Sequence, residues 1–152
     1  MASCLGILLG GGFLFLMDHA AQAAAAAPAS AQAEPPLQAV CAKCHNLQMI
    51  LSSPRSYSDW KYTVQQMVDL GAQGTDEQFD DIMDYLHRNL TTIDVNIADV
   101  SELEIVLNVP ESVAQNIAAR RNTQKFTSLA DLKSVPGIDV STIDQKAKLI
   151  SF

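Results

Sequence analysis

The chain has 152 residues and a formal net charge of −7, from 17 acids against 10 bases, with 48% hydrophobic and only 6% aromatic residues. That length fits one ordinary domain or two very small ones and excludes a large catalytic α/β fold. The acidity argues against a chain that grips nucleic acid mainly by bulk charge.

Positions 5–17 read LGILLGGGFLFLM. This apolar run is shorter than the roughly 20 residues a membrane helix needs, and Gly10, Gly11 and Gly12 break it. A signal-peptide core of about 7–15 residues fits better. Ala21-Gln22-Ala23 supplies the small-x-small cleavage pattern and Ala31-Gln32-Ala33 a second candidate, although no Lys or Arg precedes the run. Residues 1–23 therefore read as a signal peptide, and residues 24–36, rich in Ala, Pro and Gln, as a disordered linker. The protein is expected to be periplasmic or otherwise exported, and to meet a membrane only through an uncleaved leader.

An exported chain normally uses cysteine for disulfides. Here Cys4 lies in the leader, and the other two cysteines form Cys41-Ala42-Lys43-Cys44-His45, the attachment pattern of c-type haem. On a helical turn, Cys at i and i+3 project from one face, so both sulfurs reach the two vinyl groups on one porphyrin edge. The histidine that follows is carried under the iron as proximal ligand. Thioether attachment takes place outside the cytoplasm, in keeping with the leader. Three other readings are weaker. A closed zinc site needs four ligands, and no second Cys/His pair exists. A thioredoxin-like pair belongs at the head of a helix in a βαβ unit, and no strand-rich context surrounds this one. A disulfide between i and i+3 would be strained.

A sixth iron ligand would come from Met49, Met67, Met83 or His87. Met49 follows His45 too closely to pass to the other porphyrin face. Residues 58–70 form a helix pattern with Trp60, Val64 and Met67 on one face, and Gly71 is a plausible stop. A further helix opens with a capping box, Thr75 and Gln78, and carries Phe79, Ile82, Leu86 and Leu90 as its apolar stripe. Met83 flanks that stripe as core filler, and His87, with acids and Arg88 around it, is expected at the surface. Met67 is the best placed, with His87 or an open site as alternatives.

Residues 37–90 resemble a small class of c-type cytochrome domains that carry CxxCH, Trp-x3-Val-x2-Met-x3-Gly and a closing Tyr-Leu; Trp60, Val64, Met67, Gly71, Tyr85 and Leu86 match. The resemblance implies one covalently bound haem c attached through Cys41 and Cys44, with His45 and Met67 as axial ligands. Trp60, Val64, Phe79 and Leu86 would pack round it. A core this small rarely supplies enough stability alone, so the porphyrin is expected to complete it and the apo-form to be largely unfolded. His/Met ligation leaves no vacant iron position and raises the potential relative to bis-His ligation. No catalytic acid, base or nucleophile stands out, so a one-electron carrier is expected rather than an enzyme. A redox protein or a dehydrogenase complex would be its partner.

After Leu90 the character changes. Two hairpin signals, around Val109-Pro110 and Val135-Pro136-Gly137-Ile138, divide short helices into two similar units, with a last helix near residues 141–149. Pro110 suits a helix start, Gly137 a left-handed turn and Ser128 a helix cap. Residues 91–152 thus read as a tandem helix-hairpin-helix domain, and the whole as all-α. The segment resembles the paired domain of ComEA-type competence proteins through Asn96, Ala98, Arg120, Arg121, Phe126, Ser128, Asp131, Leu132 and residues 135–138.

That resemblance implies non-specific DNA binding, hairpin N–H groups meeting phosphates. Yet Glu111 and Asp139 put acids in the two hairpins, and residues 91–152 hold eight acids against six bases. Phosphate neutralisation dominates such binding, so docking to a protein is favoured, as in the lumenal extrinsic subunit of photosystem II. A DNA-binding or DNA-uptake role is the alternative. Gly137 and the basic cluster Arg120, Arg121 and Lys125 are the candidate phosphate or partner contacts.

Overall fold

The computed structural model describes residues 35–152. The leader, Cys4, both cleavage candidates and all but the last two residues of the expected linker lie outside the described residues. Helix α1 (Pro35–Val40) already begins inside that linker. Proline suits a first helical turn because its missing N–H has no partner there anyway, and Leu37 and Val40 then bury themselves.

A 3-10 turn (Cys41–Lys43) and the short helix α2 (Gln48–Leu51) follow. Helix α3 (Tyr57–Asp69) starts at Ser56, whose side chain accepts from the Asp59 N–H. It ends where Gly71, at φ +96°, turns the backbone left-handed. The Gly71 N–H donates to the Val68 carbonyl and the Ala72 N–H to the Met67 carbonyl, both at 2.9 Å. These two bonds make a Schellman closure. Helix α4 (Asp76–Leu90) opens with both arms of the Thr75–Gln78 capping box and buries Ile82, Leu86 and Leu90 at four-residue intervals.

Strand β1 (Ile93–Asp94), helices α5 (Val100–Leu107), α6 (Glu111–Thr123), α7 (Leu129–Lys133) and α8 (Val140–Gln145), a 3-10 turn (Ala147–Leu149) and strand β2 (Ile150–Ser151) complete the chain. The helix expected over residues 141–149 therefore breaks after Gln145. The chain is mostly helical, as expected, and its extended pairings are short. β1 pairs in parallel with β2, Ile93 opposite Ile150 and Asp94 opposite Ser151, and an isolated parallel bridge joins Arg55 to Thr91. These pairings give hydrogen bonds to backbone that has left a helix in a buried position, where unpaired groups are costly.

Among the described residues, two hydrophobic clusters form. Leu37, Val40, Trp60, Ile82, Leu86 and Leu90 make the first. The second gathers fourteen residues from Ile93 to Ile143, among them Leu103, Leu107, Ile117, Phe126 and Leu132. Polar bonds fasten the junction where the first cluster ends. Leu90's carbonyl accepts from Trp60 Nε1 at 3.0 Å and from the Arg55 N–H at 3.2 Å. Arg55's own carbonyl accepts from Thr92 at 3.0 Å. The buried Thr91 hydroxyl donates to Leu86, and Lys146 Nζ to the Arg88 carbonyl.

Candidate functional site

Cys41 stands half-buried in its 3-10 turn and Cys44, at the turn's end, is exposed; both are free thiols. Burial pushes the Cys41 thiol up from its ordinary value, the opposite of the depression that activates a thioredoxin-like cysteine. Among the described residues, no three His, Cys, Asp or Glu side chains gather as a metal site. His45 is half-buried, and its Nδ1 has no hydrogen-bond partner. A buried polar atom left unpaired costs about 1–3 kcal/mol.

Two cavities, of about 270 and 260 Å³, lie beside this segment. Cys41, His45, Val64, Met67 and Ile82 line both. The first adds Cys44, Leu70 and Phe79, with no Lys, Arg, Asp or Glu in its lining. The second adds Trp60, Leu86, Met49, Ser53, Arg55 and Thr63. Three chain segments thus meet around one space: the Cys-His turn, the inner face of α3 and the stripe of α4. The Schellman closure fixes the backbone at Met67 itself.

Each residue singled out in the sequence has a definite place. Trp60 and Leu86 are buried, at 2% exposure each, while Val64 and Phe79 are half-buried and pack on that cluster. Met83 packs there too, as filler. Met49 is 59% exposed, yet it lines the second cavity. His87 corrects its surface assignment. Its ring stacks on Tyr57 with centroids 3.9 Å apart, and its Nε2 is buried without a partner. Burial lowers its pKa, against a smaller raising effect from Asp84. The acids and Arg88 in its neighbourhood were legible; the aromatic neighbour thirty residues upstream was not. Arg55 was missed altogether, because a lone arginine between Pro54 and Ser56 carries no pattern.

In the second half, the basic residues bond to their own chain. Arg120 bridges Asp131 at 2.8 Å, donates to the Asp131 carbonyl and Ser134, and lies over the Phe126 ring. Arg121 donates to the carbonyls of Val95 and Ala98, and Lys125 to that of Asn96 at 3.2 Å. Lys133 pairs with Asp144. With Lys146 already committed to Arg88, five bases of this half are engaged within the chain. Arg120 and Arg121 are half-buried in these contacts, whereas Lys125 stays exposed, so charge-assisted bonds hold the first two against the chain.

The hairpins lie at the surface but are braced from within. Gly137 has φ +90°, and a Cβ there would stand 2.7 Å from Val113 Cγ2, so the second hairpin rests directly on α6. In the first unit Asn108, at φ 54°, makes the left-handed turn. The Asp139 carboxylate accepts from the Ser141 N–H and from the Ser141 and Thr142 hydroxyls, which hold its pKa down. Glu111 occupies the first turn of α6. Both helix starts that would face a phosphate already carry an anion.

Residues 88–151 match the family model of the helix-hairpin-helix motif. The second half is a helix-hairpin-helix domain, a fold compatible with DNA binding or with protein docking. No curated protein and no solved structure matches the chain.

Proposed function

We propose that this protein is an exported mono-haem c-type cytochrome, a one-electron carrier whose helix-hairpin-helix domain docks it to a redox protein or a dehydrogenase complex. The observation that carries the reading is the convergence of Cys41, His45 and Met67 on two cavities that share them, with Cys44 lining the first. The donor set fits the group: two thiols at attachment spacing, an imidazole with an unpaired buried nitrogen, and a thioether on a separate, rigidly capped helix. Cys41 and Cys44 would hold the haem, His45 and Met67 its iron. When bound, the haem supplies a ferric–ferrous couple. The chain's own work is to exclude water with Trp60, Ile82 and Leu86, which keeps the environment of low dielectric. Leu70 at the first cavity and Met49 at the second are exposed apolar side chains that another protein can meet.

Docking to protein is favoured over DNA by the engaged cations and by the acids at both helix starts. Two measurements test the whole. Chain produced in a host that attaches haem c should gain the mass of one haem and, when oxidised, show the weak far-red band of methionine–iron ligation. Colourless material would overturn the cytochrome reading. In a mobility shift with duplex DNA at physiological salt, no complex should form at micromolar protein; a salt-sensitive shift there would replace protein docking with the DNA alternative.

A further inference from the structure

The second cavity has one polar end. Ser53, Arg55 and Thr63 line it, and the same three residues line a surface cleft of about 340 Å³ on their other side. They stand where the interior space meets solvent. Arg55 is the one Lys, Arg, Asp or Glu among the lining residues of either cavity. Its Nη1 donates to Thr63 Oγ1 at 3.0 Å, its Nε to the Ser53 carbonyl at 3.4 Å, and its guanidinium lies 4.6 Å from the Trp60 ring centroid. These contacts use two of the five N–H donors of a guanidinium. Its backbone is fixed independently, by Leu90 and Thr92. A cation held so firmly at the mouth of an apolar space is a receptor for an anion that reaches out of that space.

We propose that Arg55, with Ser53 and Thr63, is the subsite for the carboxylate edge of the group held in the cavities. This rests on the haem reading given above. The two cavities differ in the way that reading requires. Cys44 lines only the first, Arg55 only the second, and a haem carries vinyl groups on one edge and its two propionates on the other. Cys41 lines both cavities, so it is attachment through Cys44 that would set the vinyl edge in the first cavity and leave the second, with Arg55, to the carboxylates. Without Arg55, two anions would enter a lining with no compensating charge, a costly arrangement. Arg55 is a positioning residue: it acts on the iron through the haem carboxylates. Reduction removes one positive charge from the iron, so a nearby cation favours the ferrous state and raises the potential.

The test uses the full haem-loaded chain and compares Arg55→Gln and Arg55→Lys with wild type by redox titration at constant pH and salt. Arg55→Gln should shift the oxidised-to-reduced ratio at a fixed poise about tenfold toward oxidised, equivalent to about 59 mV for one electron. Arg55→Lys should recover most of that shift, which a purely structural role would not allow. Should Arg55→Gln not fold, Thr63→Val, which releases Nη1, should lower the potential by a smaller amount. A haem-loaded Arg55→Gln with wild-type potential, or Thr63→Val with unchanged potential where that variant must serve, overturns the subsite and leaves the cytochrome intact. Wild type without haem overturns both.

Discussion

Trp60 donates its indole N–H to the carbonyl of Leu90, thirty positions away, at 3.0 Å. The bond fixes the first turn of α3 against the end of α4 at the point where the chain leaves the first cluster. Because Arg55 also donates to this carbonyl, its loss leaves an acceptor still partly paired. Trp60→Phe should therefore cost about 1–2 kcal/mol, from one hydrogen bond and reduced burial. The shift in urea midpoint of the haem-loaded protein measures it, and a midpoint within error of wild type would contradict the assignment.

The two clusters differ in what they can support alone. Six buried side chains form the first and fourteen the second, so only the second holds a core of ordinary substance. A Cys41→Ala, Cys44→Ala chain, unable to attach haem, should lose helical structure in residues 35–90 and keep it in residues 93–151. Hydrogen exchange resolved by peptide reads this directly. Uniform, native-like protection across both stretches would show that the first cluster needs no added group.

Gly137 should tolerate nothing larger. Alanine meets both the left-handed backbone and the Val113 methyl at 2.7 Å, for a combined cost of about 2–4 kcal/mol. Adding Val113→Ala removes the collision and leaves the backbone strain. The double variant should thus lose less stability than the sum of the singles, by about 1 kcal/mol. Strict additivity would show that the hairpin moves away from α6 instead.

His87 makes stability depend on pH with a definite sign. Burial is the larger influence on its pKa, ahead of Asp84, Arg88, Asp99 and Lys61, and the direction is downward from 6.5. The unfolded chain therefore takes up this proton first. The stabilising effect of neutral His87 is complete above about pH 6.5. It is lost as pH falls from there through the lowered folded value. His87→Phe keeps a ring on Tyr57 without a proton to bind, so its stability should fall less steeply than wild type between pH 6.5 and 5. Parallel denaturation curves over that window would contradict the burial of Nε2.

What was legible in the sequence follows from locality. The Thr75 capping box, the stop at Gly71, the cap at Ser128 and the turn at Gly137 depend on neighbours within a few residues, and each is where the pattern put it. The stripe of Ile82, Leu86 and Leu90 was readable because helical periodicity repeats. Contacts across long sequence separations were not. Arg120 and Arg121 were visible as a pair, but their acceptors at Asp131, Val95 and Ala98 are set by how the second half closes. Asn96 was visible as a motif residue, yet its bonds to the backbone of Phe126, from both ends of its amide, needed the fold. At the candidate site the Cys-His turn announced itself. The polar end at Arg55 belongs to a surface that three segments build together.

The parallel register of β1 and β2 has a mechanical consequence. Strands β1 and β2 lie near the two ends of the second half, adjacent and running the same way. Tension drawn between the preceding chain and a partner beyond β2 would load that ladder in shear, so its bonds, including Ser151 Oγ to the Ile93 carbonyl at 3.0 Å, must yield together rather than peel one at a time.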